Sequence, residues 1–342
     1  MAEKIIYDGD DFREVVRQSA SFPYDEIYTY GGNDDIYLKY SATTVFAGAG
    51  SDYVNSTVER GNDIDLGSGN DIYIGTGYSG NSANYDIVSG GDGSDKFYIS
   101  TWASKYYGEA GNDTFYSVGF NNLISGGSGT DTVDYSRQNS DADLAGKGIQ
   151  VDLSQGYATS GGGREEDLVS IESAKGTSYK DTLIGSSGSN GLWGQSGDDV
   201  LRGYGGNDRL YGGNGNDDLY GGSDNDDLYG GRGNDYLKGD SGSDLFIFQS
   251  VNDSPNTSSR DVIADFSRSQ GDKIDLSDID AIESSSRDSA FDFIGSASFS
   301  GTAGELRYSG GIVRGDVDGD GVADFSIKID NGASLRASDF IL

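Results

Sequence analysis

Asp217, Asp226 and Asp235 recur every nine residues in the stretch GGNGNDDLYGGSDNDDLYGGRGNDYLKG, and Leu219, Leu228 and Leu237 each follow two places later. The same register runs without a break from Gly176 to Ile247 as eight nonapeptides. Their sixth positions are Asp181, Asn190, Asp199, Asp208, Asp217, Asp226, Asp235 and Asp244, and their eighth positions are Leu183, Leu192, Leu201, Leu210, Leu219, Leu228, Leu237 and Phe246. The chemistry open to such a series is set by what surrounds it. The chain has no Cys and no His, which excludes thiolate and imidazole metal sites, Cys nucleophiles and Ser-His-Asp triads. Hard oxygen donors are what remain, and they suit calcium better than zinc or copper.

Charge argues the same way. With 57 acidic against 24 basic residues the formal net charge is −33 over 342 residues. No basic face is available for nucleic acid. Like charge at this density opposes compaction unless cations neutralise it. Disorder is a poor alternative for a chain with 23 Tyr, 14 Phe and only 2 Pro.

The elements that position the acids follow from the repeat. Gly-Gly-x-Gly-x-Asp is a turn needing positive-φ positions, which glycine adopts without steric cost. The x-Leu-x that follows is a short strand with one side chain pointing inward. Two units make an 18-residue coil, so acids 18 apart stack at the strand spacing of about 4.8 Å. Asp181, Asp199, Asp217 and Asp235 are expected along one edge, and Asn190, Asp208, Asp226 and Asp244 along the other. At an effective dielectric of about 20, neighbouring carboxylates repel by roughly 3 kcal/mol per pair, which a divalent ion between turns would reverse.

A looser version precedes this run. Asp34, Asp52, Asp71, Asp95, Asp113 and Asp131 each close a G-x-D triplet, at spacings of 18, 19, 24, 18 and 18. Ile36, Val54, Tyr73, Phe97, Phe115 and Val133 follow two residues later. The expectation is an all-β parallel β-roll or β-helix solenoid in four segments: degenerate repeats over 1–135, a connector over 136–175, the regular roll over 176–247 and a β-rich cap over 248–342. Only DDFREVVRQSA and DSAFDFIG have helical character.

The repeat resembles the calcium-binding nonapeptide of RTX (hemolysin-type) proteins. The segment DLFIFQSVNDSPNTSSRDVIADFSRSQGDKIDLS and the terminal SDFIL are similar to the tail of serralysin-type proteases. The resemblance implies calcium held by carbonyls at repeat positions one, three and five together with an aspartate of the next coil. Carried onto this chain, one site is Gly212, Asn214 and Asn216 with Asp235. The equivalent carbonyl sets are Gly194, Ser196 and Asp198; Gly203, Gly205 and Asn207; and Gly221, Ser223 and Asn225. Asp253 and Asp261, in the serralysin-like segment, join the candidates. Asn190 and Asp224 depart from the pattern, so sites touching them are expected to be weaker or altered. With no His, the zinc motif of the protease half is absent.

The resemblance further implies an extracellular protein exported by type I secretion machinery through a C-terminal signal. The opening MAEKIIYDGDDFREVV does not read as an N-terminal secretory signal, and no run is apolar enough for a membrane span. Calcium is therefore the expected cofactor, in a protein that is not an enzyme and has a structural or interaction role. Two alternatives stand beside it: a carbohydrate-binding or adhesion module, with Trp193, Tyr211 and Tyr229 as a platform for extracellular polysaccharide, and a β-helical polysaccharide-modifying enzyme. DVDGDGVADF places Asp316, Asp318 and Asp320 like the opening of an EF-hand loop, although Ile327 stands where that loop needs Glu.

Overall fold

The computed structural model describes residues 4–6, 13–18, 26–57, 61–76, 85–161, 163–282 and 289–342. Two compact units divide at Thr177 and Ser178.

In the N-terminal unit, short parallel strands alternate between two stacks. Glu26–Tyr28, Thr44–Phe46, Asp63–Asp65, Ile87–Asp92, Lys105–Ala110 and Leu123–Ser128 form one. Val15–Arg17, Asp35–Leu38, Tyr53–Ser56, Ile72–Thr76, Lys96–Ser100, Thr114–Ser117 and Thr132–Asp134 form the other. Each strand sends its alternate side chains inward, so the core is two ladders in strict register. Ile27, Val45, Ile64, Val88, Tyr106 and Ile124 face Ile36, Val54, Tyr73, Phe97, Phe115 and Val133, all buried. The six apolar residues following the G-x-D triplets therefore all lie in one core ladder, which Val16 and Ala174 extend at its two ends.

Residues 136–175 interrupt the winding. Ile149–Asp152 pairs antiparallel with Tyr157–Ser160, which pairs antiparallel with Glu165–Val169, and that strand rejoins the stack parallel to Leu123–Ser128. Glu166 fastens this excursion to the core. Its buried carboxylate accepts from Ser117 Oγ at 2.8 Å, Asn122 Nδ2 at 2.9 Å and Tyr135 Oη at 2.9 Å. A buried charge is tolerated only when its lone pairs are this fully used.

In the C-terminal unit the same winding is regular. Leu183, Leu201, Leu219 and Leu237 align in one stack, and Leu192, Leu210, Leu228 and Phe246 in the other. The winding outlasts the nonapeptides. Val262–Ile263 and Lys273–Asp275 add parallel strands to the two stacks, and Phe325–Ile329 and Phe340–Ile341 add another pair. An antiparallel meander of Glu305–Ser309, Ile312–Asp316 and Phe325–Ile329 covers this end. The terminal strand is held further by Asp339, whose carboxylate accepts from Arg268 Nε at 2.8 Å.

Neither helical expectation holds. Within DDFREVVRQSA the described residues include the strand Val15–Arg17, and within DSAFDFIG they include the strand Asp292–Phe293. Tertiary pairing overrides weak helix propensity in both, because Val16 completes the apolar ladder and Asp292 and Phe293 pair with Glu305 and Leu306.

Candidate metal centre

From Asp199 onward each ladder aspartate of the nonapeptides is placed by the turn before it and the strand after it, and each is used in the same way. One carboxylate oxygen accepts the backbone N–H of the ladder residue one coil earlier. In the C-terminal unit Asp199 Oδ1 accepts from Asp181 N at 2.7 Å, Asp217 Oδ1 from Asp199 N at 2.7 Å and Asp235 Oδ1 from Asp217 N at 2.8 Å. On the other edge Asp208 Oδ1 accepts from Asn190 N at 2.7 Å, Asp226 from Asp208 at 2.8 Å and Asp244 from Asp226 at 3.1 Å.

The second oxygen is the informative one. Oδ2 of Asp199, Asp208, Asp217, Asp226, Asp235, Asp244 and Asp261 is buried with no hydrogen-bond partner among the described residues. Buried polar atoms are rarely left this way, and never cheaply for an ionised carboxylate. Each of these oxygens through Asp244 faces the glycine that opens its own repeat. A Cβ on Gly194, Gly203, Gly212 or Gly221 would come within 2.4, 2.0, 2.5 or 2.3 Å of Oδ2 of Asp199, Asp208, Asp217 or Asp226. The same imaginary Cβ on Gly212 lies 2.6 Å from the carbonyl oxygen of Gly230, one coil on. Carboxylate oxygen and next-coil carbonyl thus converge on space that only glycine leaves free. This donor set fits a hard divalent cation.

Electrostatics agree. Burial, followed by the charge of neighbouring ladder acids, raises the metal-free carboxyl of Asp217 to about 7 and that of Asp226 to about 8. Burial also lifts Asp199 to about 6 and Asp208 to about 7. Burial pushes both Asp235 and Asp261 up, and the charge of Asp217 then adds to the first and that of Asp235 to the second. Asp253 stands beside this pair and adds to their repulsion, while its own Oδ2 accepts from Gln249 N and Ser250 N at 2.8 and 3.0 Å.

The remaining predicted donors are placed differently. The position-five side chains stay at the surface and form their own ladder. Asp198 Oδ1 accepts from Asn216 N at 2.8 Å, Asn207 from Asn225 N at 2.9 Å and Asn216 from Asn234 N at 3.0 Å. Position three (Ser196, Gly205, Asn214, Ser223) lies at strand ends with none of its residues buried. Asn190 occupies its ladder position, but its Oδ1 already accepts from Ser186 N at 2.6 Å. Asp224 takes φ +75° where the pattern has glycine.

In the N-terminal unit Asp34, Asp52, Asp71, Asp95, Asp113 and Asp131 form one continuous ladder, each Oδ2 again buried and unpartnered among the described residues. The opposite edge is different. Its ladder runs Asn62, Asp86, Ser104 and Asn122, mostly neutral groups accepting the same backbone N–H groups. Among the described residues, only the first of these two edges is an unbroken run of aspartates.

Besides this second edge, two further ladder members were missed by sequence reading. Glu172 Oε2 accepts from Asp131 N at 2.8 Å, and Asp272 Oδ1 from Asp244 N at 3.2 Å. Both keep the acid-x-apolar pattern, in Asp272-Lys273-Ile274 and Glu172-Ser173-Ala174, but neither closes a G-x-D triplet, and Glu172 follows the excursion. The EF-hand-like loop also differs from expectation. Carboxylate oxygens of Asp316, Asp318 and Asp324, rather than Asp320, lie within 4.8 Å of one another. Both oxygens of Asp316 already accept from Gly319 N and Gly321 N at 2.7 and 2.9 Å.

Trp193, Tyr211 and Tyr229 stack on each other, with centroids 5.5 and 4.3 Å apart and planes within 15°. Their faces are spent on one another, which favours packing over a sugar platform. Replacing all three by serine is expected to cost roughly 1–3 kcal/mol of stability, read by denaturant unfolding, and to remove no ligand affinity. Lost glycan binding with unchanged stability would reverse that assignment.

Residues 122–342 match the family described as the Peptidase M10 serralysin C terminal. A subunit of the mannuronan C5-epimerase of Azotobacter vinelandii is 29% identical over 48% of this chain and 78% of its own, with a TM-score of 0.28. The extracellular lipase of Serratia marcescens is 18% identical over 80% of this chain and 40% of its own, with a TM-score of 0.24. No curated protein matches the chain. The acid ladders, the β-roll winding and a family match over well over half the residues lead to one conclusion: the chain belongs to the serralysin C-terminal family and is of the RTX type.

Proposed function

We propose that the protein binds calcium at many sites along its acid ladders, is secreted through type I machinery, and folds outside the cell as calcium loads it. Its role is structural or interactive, and the family match is to the C-terminal region of a peptidase, away from any protease half. The observation that carries the reading is the repeated buried Oδ2 facing a glycine cradle and a next-coil carbonyl. Residues 176–247 would hold ions on both edges, 1–135 on one, and 248–342 would carry the export signal.

Linkage makes calcium a folding switch: one site at a thousandfold excess over Kd adds about 4 kcal/mol, and stacked sites add together. Calorimetry should count several calcium ions per chain, with β circular dichroism rising cooperatively over the same titration. Full β signal in excess chelator at neutral pH, or a single ion bound, would overturn the proposal.

A further inference from the structure

The face opposite the Trp193 stack carries a feature that metal binding leaves unexplained. Arg202, Tyr220 and Lys238 are in register on three successive coils, as are Tyr204, Gly222 and Asp240, and Gly205, Ser223 and Ser241. The middle coil is glycine where its neighbours are large. The result is a notch of about 430 Å³ with Gly221 and Gly222 as floor and Tyr204 and Asp240 on either side. That volume falls in the range of about 300–1,000 Å³ typical of small-ligand sites. Tyr220 and Arg202 close one end, the guanidinium 5.0 Å from the ring centroid, and Ser223 and Ser241 line the other.

Backbone conformation marks the two walls. The second repeat position is left-handed, and Gly213, Gly222 and Gly231 occupy it at φ +113°, +121° and +90°. Tyr204 and Asp240 hold the same conformation at φ +75° and +65° without being glycine, as Gln195 does on the other stack. A bulky aromatic at positive φ is unfavourable. Tyr204 is nonetheless 53% exposed, so core packing does not compensate it. Strain kept for an exposed side chain points to use of that side chain.

We propose that this notch binds a pyranose unit of a polysaccharide. An exposed ring offers a stacking surface, and a carboxylate, two hydroxyls and a guanidinium around it match the donors and acceptors of a sugar ring. A peptide strand is a poor fit, because Asp218–Ser223, the strand that floors the notch, is already paired with both neighbours along its length and offers no free edge. Asp240 is paired with Lys238, whereas Arg202 has no carboxylate partner among the described residues. Arg202 is therefore the group that meets a sugar hydroxyl or a uronate carboxylate.

The proposal rests on the calcium-loaded roll, and its test separates the two. A neutral β-linked glucohexaose and a hexauronate are titrated into the full calcium-loaded chain by calorimetry, with circular dichroism recorded on the same samples. One of the two sugars is expected to bind, and their ranking tells which group Arg202 reads. Tyr204→Gly should weaken that binding by about tenfold or more while keeping, or lowering, the calcium midpoint of folding, because glycine suits this backbone position. Arg202→Gln should weaken the preferred sugar selectively. Neither sugar binding to folded wild-type protein, or Tyr204→Gly binding as wild type does, would overturn the site; a β signal indifferent to calcium would instead count against the roll reading.

Discussion

In excess chelator at about pH 8 the chain should be largely unstructured, and acidification to about pH 5.5 should restore part of its β signal without any metal. The reason is that protons and calcium answer the same problem. In the metal-free fold the ladder carboxyls titrate at about 6 for Asp95, Asp113, Asp199 and Asp244, about 7 for Asp71, Asp208 and Asp217, and about 8 for Asp226, from an ordinary value of 3.8. Burial is the largest cause in each. A carboxyl whose folded pKa is raised takes up a proton on folding, so its contribution is fully present below about pH 4 and is lost as pH rises through the folded value. The window is therefore about pH 4 to 8, and stability of the calcium-free fold falls across it. With calcium present the dependence reverses, since protons then compete for Oδ2. The calcium midpoint should be higher at about pH 5.5 than at about pH 8. A β signal in chelator that is flat across this range, or that falls on acidification, would sink the argument.

The roll was legible in the sequence because the residues that build it are the residues that repeat. A leucine every nine positions can align in register only on strands that wind, and Asp217, Asp226 and Asp235 then have no choice of edge. Even the irregular half was readable, since Tyr73, Phe97 and Phe115 keep their offset from aspartates spaced 24 and 18 apart. What escaped depends on contacts between residues far apart along the chain. Glu166 meets Ser117 and Asn122, 49 and 44 residues away, and nothing in its neighbourhood of sequence announces a buried acid. Glu172 replaces a ladder aspartate after an excursion that breaks the 18-residue spacing, although Ala174 two places on still stacks on Val133. The neutral edge of the N-terminal unit was invisible for a subtler reason. Asn62, Ser104 and Asn122 do the hydrogen-bonding half of an aspartate's work without the metal-binding half, and a pattern search for acids passes over them. The notch beside Tyr204 was hidden because it arises from three coils read across, not from any stretch read along.

Two glycine-to-alanine changes separate the metal cradle from the general need for glycine in a roll. Gly212 and Gly205 lie on strands of the regular repeat, and neither has the positive φ that only glycine tolerates well. Backbone preference therefore predicts the same small stabilisation for both, about 0.4–1 kcal/mol from reduced freedom of the unfolded chain. Their surroundings differ. A Cβ on Gly205 meets its nearest neighbours at 4.0 Å, ordinary contact. A Cβ on Gly212 falls 2.5 Å from Asp217 Oδ2 and 2.6 Å from the Gly230 carbonyl oxygen, in the space where the cradle oxygens converge. Overpacking of this kind costs about 1–3 kcal/mol, and here it also displaces the two donors an ion would need. Gly205→Ala should fold at a calcium concentration equal to or slightly below that of the parent. Gly212→Ala should need about tenfold more and bind at least one ion fewer by calorimetry. The lost ion is the decisive readout, because a purely steric injury would raise the midpoint and leave the stoichiometry intact. Equal midpoints and equal ion counts for the two variants would mean that the space facing Asp217 Oδ2 is not where calcium sits.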